Sequence, residues 1–128
     1  LKKKVDAGAD FIVGSNPHLV QIYKVISSAD GRKVPCYYSI GNFIALMKHV
    51  VGNRDSIMVK ICLQRNADGK VELTENSYIP FYTYTKHGGK LLTPICMSKS
   101  FNTSQLKPGR DKTVQRIMNA IGDNVLSL

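Results

Sequence analysis

The densest concentration of chemistry-bearing residues in the chain is Gly14-Ser15-Asn16-Pro17-His18. Imidazole is a common metal ligand and proton carrier, and an amide oxygen can complete the shell of a hard divalent cation. Asn16 and His18 are therefore the candidate metal ligands, and His18 is also the candidate catalytic group. Pro17 fixes its own backbone and disfavours the helical region for Asn16, so the pair stands on a stiff, extended segment. The same residues also build a purely structural turn, and their spacing alone leaves both roles open.

A second cluster follows at Tyr37-Tyr38-Ser39-Ile40-Gly41-Asn42-Phe43, where a run of aromatic and apolar residues ends in small polar ones. Glycine there permits close backbone approach. Ser39 and Asn42 are candidates for binding an oxyanion of substrate or for orienting a metal ligand from behind, and a plain strand-to-loop turn uses the same residue types. Arg54 is the third substrate candidate, because its planar fork suits phosphate or carboxylate; salting the start of a strand is the alternative. His49 and His87 lack ligand spacing and read as surface residues. Cys36, Cys62 and Cys96 are odd in number and far apart, which fits neither a zinc site nor a disulfide framework, and they read as buried free thiols in strands.

The elements that must carry these groups can be laid out from periodicity. Residues 1–8 read as the last turns of an amphipathic helix ended by Gly8. Phe11, Ile12 and Val13 form a short apolar run of the kind covered on both faces, and Gly14 breaks it, so the Ser15–His18 loop directly follows a strand. Leu19–Ile26 and Val34–Ile44 are β-branched and aromatic and flank Asp30-Gly31, a hairpin pattern. Ile57, Val59, Ile61 and Leu63 alternate with Met58, Lys60, Cys62 and Gln64, and the Asn66-Ala67-Asp68-Gly69 turn joins Ser56–Gln64 to Val71–Ile79 as an antiparallel pair. A short strand is expected near Leu91–Met97. Pro108-Gly109 reads as a turn, Asp111 as a helix N-cap, and about 112–121 as a terminal helix stopped by Gly122. The fold class is α/β in the broad sense (α+β), mainly antiparallel hairpins packed with helices, in one domain over 1–128.

Composition narrows the partners. The 128 residues are 43% hydrophobic, enough for a sizeable core. Eighteen Lys and Arg against nine Asp and Glu give a net charge of +9, which favours polyanions. The excess is spread along the chain apart from Lys2, Lys3 and Lys4, so nucleic acid is not the expected partner. No apolar run reaches a membrane-spanning length, so any export or anchoring signal is expected upstream.

The run GADFIVGSNPHLVQ, followed after a hairpin by YYSIGNF and then by RDSIMVKICL and a strand ending in YIPFY, resembles the CapA family of bacterial capsule and poly-gamma-glutamate synthesis proteins. The likeness covers roughly residues 1–85; residues 86–128 form a tail without specific resemblance. It implies the C-terminal part of a calcineurin-like metallophosphatase fold, with divalent metal (Mn, Mg or Zn) bound by loops at strand ends. It also implies a cell-surface protein anchored through a segment upstream.

Carried over position by position, His18 matches the second histidine of the family's HPH-type loop, and Asn16 stands where the first would be. Asparagine supplies an oxygen to Mg or Mn but is a poorer zinc ligand and cannot shuttle protons at neutral pH. A two-metal phosphoesterase needs several carboxylates and imidazoles around ions about 4 Å apart. Too few stand here, so this portion alone is expected to be catalytically silent and to depend on the missing N-terminal half of the protein. Two functions follow from the resemblance. One is a metal-dependent hydrolase or transferase acting on a phosphoester or polyglutamyl chain; the other is a non-enzymatic accessory that holds poly-gamma-glutamate or capsular polysaccharide on its basic surface.

Overall fold

The computed structural model describes residues 1–45, 47, 50–86, 91–97, 107–122 and 126–127. The chain is α+β with mostly antiparallel strands. Its elements run α1 (Lys2–Asp6), β1 (Ile12–Val13), β2 (Tyr23–Ser27), β3 (Lys33–Tyr37), a 3-10 turn (Val51–Arg54), β4 (Asp55–Arg65), β5 (Val71–Lys86), β6 (Leu91–Cys96), α2 (Lys107–Ile121) and β7 (Leu126–Ser127).

These strands form two sheets. The first has the order β1-β3-β2, with β1 parallel and β2 antiparallel to β3. The second has the order β4-β5-β6, with β7 added parallel to β5. The residues after β3 tie the sheets together: Ile40 bridges Val20, Gly41 bridges Ser56, and Ile57 N–H donates to Ile40 O at 3.0 Å.

Alternation along β3 decides what sits in the core. Val34 and Cys36 face α1, where Val5 is fully buried, and Ile12, Ile26 and Tyr38 close that layer. Tyr37 faces the other way and packs with Tyr23 against Ile57 and Tyr78 of the second sheet and Ile117 and Ile121 of α2. The polar tips of this aromatic group are satisfied, since Tyr37 OH donates to Asn76 Oδ1 at 2.9 Å and Asn76 Nδ2 donates to Tyr23 OH at 3.1 Å. Burial raises the pKa of both phenols and so holds them neutral to higher pH.

Several expectations need adjustment. Coverage on both faces belongs to β3, not to β1, whose Val13 is 47% exposed. The first hairpin is there, with its regular ladder at Tyr23–Ser27 and Lys33–Tyr37; beyond it the pairing continues irregularly, Tyr38 N–H donating to Ile22 O, Gln21 N–H to Ser39 O and Ile40 bridging Val20, before Gly41 bridges Ser56.

The β4–β5 hairpin forms in the expected register, with a bulge at Cys62/Leu63, and β5 then runs past Pro80 to Lys86. Ile57, opposite Pro80, turns its N–H towards Ile40, so the missing proline donor is not one that the β4–β5 ladder uses. Pro80 sits between the stretches of β5 that pair with β7 and β6, and its carbonyl accepts Met97 N–H at 2.7 Å.

Helix α2 starts at Lys107, so Pro108-Gly109 lies in its first turn and Asp111 lies inside it; proline is tolerated there because first-turn N–H groups have no helical partner. Gly122 ends it as expected, with its N–H on Met118 O. All three cysteines are unpaired and in strands, but only Cys36 is buried. His49 and His87 lie outside the described residues.

Candidate functional site

Two glycines let the site assemble. Gly14 donates its N–H to Tyr37 O and accepts from Ile40 N–H, lying so close to the chain after β3 that a Cβ would sit 2.2 Å from Tyr38 O. Gly41 has φ 75°, and a Cβ there would sit 2.4 Å from Asp55 O. Only a residue without a side chain permits either approach. Together they set the loop after β1 beside the loop after β3, which is how residues far apart in the chain meet.

His18 and Asn42 are the residues that meet. Asn42 Nδ2 donates to His18 O at 3.3 Å and to Asn53 O at 3.0 Å. Carbonyl oxygens only accept, so these bonds fix the orientation of the amide and leave Oδ1 as an acceptor. His18 Nδ1 lies 2.7 Å from that oxygen. Nδ1 must therefore carry the proton, and the lone pair of the neutral ring is on Nε2. Asn42 is 6% exposed whereas His18 is exposed, so a buried amide presents the basic nitrogen of a surface imidazole. The same clamp holds His18 at φ 57°, a left-handed conformation that costs a non-glycine residue about 1–3 kcal/mol.

The floor of the site is well anchored. Thr83, fully buried in β5, donates its hydroxyl to Phe43 O at 2.8 Å, and the Phe43 and Phe81 rings meet edge to face at 5.2 Å. Among the described residues the buried Asn53 Oδ1 and Ser56 Oγ have no hydrogen-bond partner, a cost of roughly 1–3 kcal/mol each.

Asn16 is exposed two residues before His18, and its side chain makes no hydrogen bond among the described residues. Ser39 is fully buried and its hydroxyl accepts Gly41 N–H at 3.3 Å. Arg54 is half-buried and donates to Tyr82 OH at 3.3 Å; no hydrogen bond or ion pair joins it to His18. The structure thus brings His18 and Asn42 together and keeps Ser39 buried against Gly41. Sequence reasoning missed Asn53, whose contribution is a backbone carbonyl, and Thr83, which lies 40 residues from its acceptor. Neither carries a local signal.

An oriented imidazole with Nε2 turned away from Asn42, and the exposed amide of Asn16 two residues before it, are donor types that fit part of a divalent shell. Among the described residues no three His, Cys, Asp or Glu side chains converge on one point, so the fit is to a share of a shell. A cleft of about 260 Å³ adjoins this floor, lined by Leu19, Val20, Gly52, Asp55, Arg116 and Ile117.

Residues 1–47 match the model of the family described as bacterial capsule synthesis protein PGA_cap. A stretch of 69 residues is 36% identical to the PGA biosynthesis protein CapA of Bacillus subtilis (strain 168), covering 54% of this chain and 17% of that protein. The match therefore spans about a sixth of the relative's length. No solved structure matches the chain.

Proposed function

From the match of residues 1–47 to the bacterial capsule synthesis family and the 36% identity to a CapA protein, we propose that the chain is part of a CapA-like protein that makes or exports an anionic capsular polymer at the cell surface. In this reading His18 Nε2 is one nitrogen ligand to a divalent metal and Asn16 supplies an amide oxygen, which favours Mn or Mg over Zn. Asn42 positions the imidazole, and Arg54 remains the group for a phosphate or carboxylate of the substrate. A bound metal would polarise a phosphoryl or acyl oxygen or activate a water. The remaining ligands come from parts of the protein outside this chain.

The observation that carries the reading is the fixed ring orientation: a buried amide, held by two carbonyls, takes Nδ1 of His18 as its donor and turns Nε2 away from it, so the neutral ring carries its lone pair on Nε2. Elemental analysis and Mn titration of the full-length protein, wild type against His18→Ala, test it. Stoichiometric metal that disappears in the variant is the expected result. Metal absent from both proteins, or unchanged in the variant, overturns it.

The net charge of +9 favours the second reading, an accessory that holds poly-gamma-glutamate or a capsular polysaccharide without metal chemistry. Its mark is polymer binding that weakens with salt and survives loss of His18. No helix among the described residues is long and apolar enough to cross a membrane.

A further inference from the structure

Helix α2 is ion-paired to the strand that carries the floor of the His18 site. Arg116 Nε and Nη2 lie 2.6 and 2.8 Å from the two oxygens of Asp55, and Nη2 also donates to Thr113 Oγ1 at 3.0 Å. Asp55 is 3% exposed and Thr113 1%, so the fork is anchored on its inner side. A bidentate guanidinium–carboxylate pair fixes angle as well as distance, which a surface pair on flexible side chains does not.

Asp55 stands where that rigidity reaches the site. It follows the 3-10 turn containing Asn53, whose carbonyl receives Asn42 Nδ2. Its own carbonyl lies against Gly41, the residue before Asn42. One of the two carbonyls that hold the Asn42 amide, and the backbone residue that precedes Asn42, therefore adjoin Asp55. A second line runs through Leu19, next to His18, which packs so close to Gly52 that a Cβ there would meet Leu19 Cδ2 at 2.9 Å; Leu19, Gly52, Asp55 and Arg116 line one cleft.

We propose that Arg116 is a positioning residue for His18, acting through Asp55 and the Asn53–Asn42 hydrogen bond. Arg116 lies in the tail, outside the segment matched by the family model, and nothing around it in the sequence marks it as part of a site. The proposal deepens the reading of His18 as a ligand, but its physical claim concerns the imidazole tautomer and is testable without metal.

The test is nitrogen NMR of histidine-labelled, metal-free protein at mildly alkaline pH, with the His18 signals assigned from His18→Gln. Wild type is expected to show the Nδ1–H tautomer. Arg116→Lys keeps the charge and most of the bulk but loses the fork. It should stay folded, shown by unchanged resonances of the Tyr23 and Tyr37 rings, while the Nε2–H tautomer of His18 gains several-fold. Asp55→Asn should do the same, and combining the two substitutions should add little, because they break one link. A folded Arg116→Lys protein with an unaltered His18 tautomer overturns the proposal and leaves the metal reading untouched. A loss of metal binding without a tautomer change counts against it equally.

Discussion

Asn42 grips His18 at two points with one amide, accepting from Nδ1 at 2.7 Å and donating to the residue's own carbonyl at 3.3 Å. Side chain and backbone are thereby locked together, and the left-handed φ of His18 is held by the group that orients its ring. Replacing Asn42 with Ala removes both contacts and the bond to Asn53. The expected outcome is a loss of stability of about 1–3 kcal/mol and a fall in Mn affinity of the full-length protein of about 10- to 100-fold. Isothermal titration and thermal melts check the two effects separately.

Gly41 and Gly31 both have positive φ, 75° and 88°, but only Gly41 is crowded. Alanine at Gly31 meets nothing within 4 Å and should cost only the backbone strain, about 1 kcal/mol. Alanine at Gly41 must also push its Cβ into Asp55 O, 2.4 Å away, and should cost more than about 3 kcal/mol. Urea denaturation of the two variants distinguishes them.

The apolar face of β4 outruns the core. Ile57 is 2% exposed and Leu63, beyond the bulge at Cys62/Leu63, is 62%, although both belong to the alternating apolar set of the strand. Ile57→Ala should cost about 2–5 kcal/mol, and Leu63→Ser no more than about 0.5 kcal/mol. Equal losses at both positions would show that the distal hairpin is covered in solution.

Acid and alkali should act through different groups. The Ser28 hydroxyl and the Arg32 guanidinium hold the Asp30 carboxyl down from 3.8 to about 2. Because the folded value is the lower one, its contribution is present above the ordinary carboxylate range and is lost as pH falls from 3.8 towards about 2. Asp30→Asn should flatten stability against pH in that window, measured by urea midpoints.

Burial raises the phenols of Tyr23 and Tyr37 above 10.0. The folded value is now the higher one, so their contribution is complete below that pH and is lost as pH climbs past it. Phenolate absorbance from these two should appear only together with unfolding. Tyr37→Phe, which leaves Asn76 Oδ1 without its donor, should cost about 1–3 kcal/mol.

Features governed by neighbouring residues were legible. The Asn66–Gly69 turn set the β4–β5 pairing, since Asn66 and Lys70 bond across it, and Gly122 stops α2 because its position follows the last apolar turn of the helix. The start of α2 was misplaced because Pro108-Gly109 is equally good turn chemistry and first-turn helix chemistry. Continuation of β5 beyond Pro80 was hidden because proline ends a central strand unless its missing donor faces a gap, and the gap exists only once β6 and β7 have docked.

By itself the sequence determined the hairpins, the terminal helix, the loop carrying Asn16 and His18, and the small polar residues after β3, although the extended backbone expected at His18 gives way to a left-handed φ of 57°. Each of these rests on interactions between residues a few positions apart. Tertiary structure alone decided which groups meet: Asn42 with His18 across 24 positions, Tyr37 with Asn76 across 39, and Arg116 with Asp55 across 61. Such contacts leave no periodic trace, because they arise only when two sheets and a helix bury a shared aromatic core and bring strand ends to one edge. The tautomer of His18, and with it the chemistry its exposed nitrogen can do, belongs to that second category.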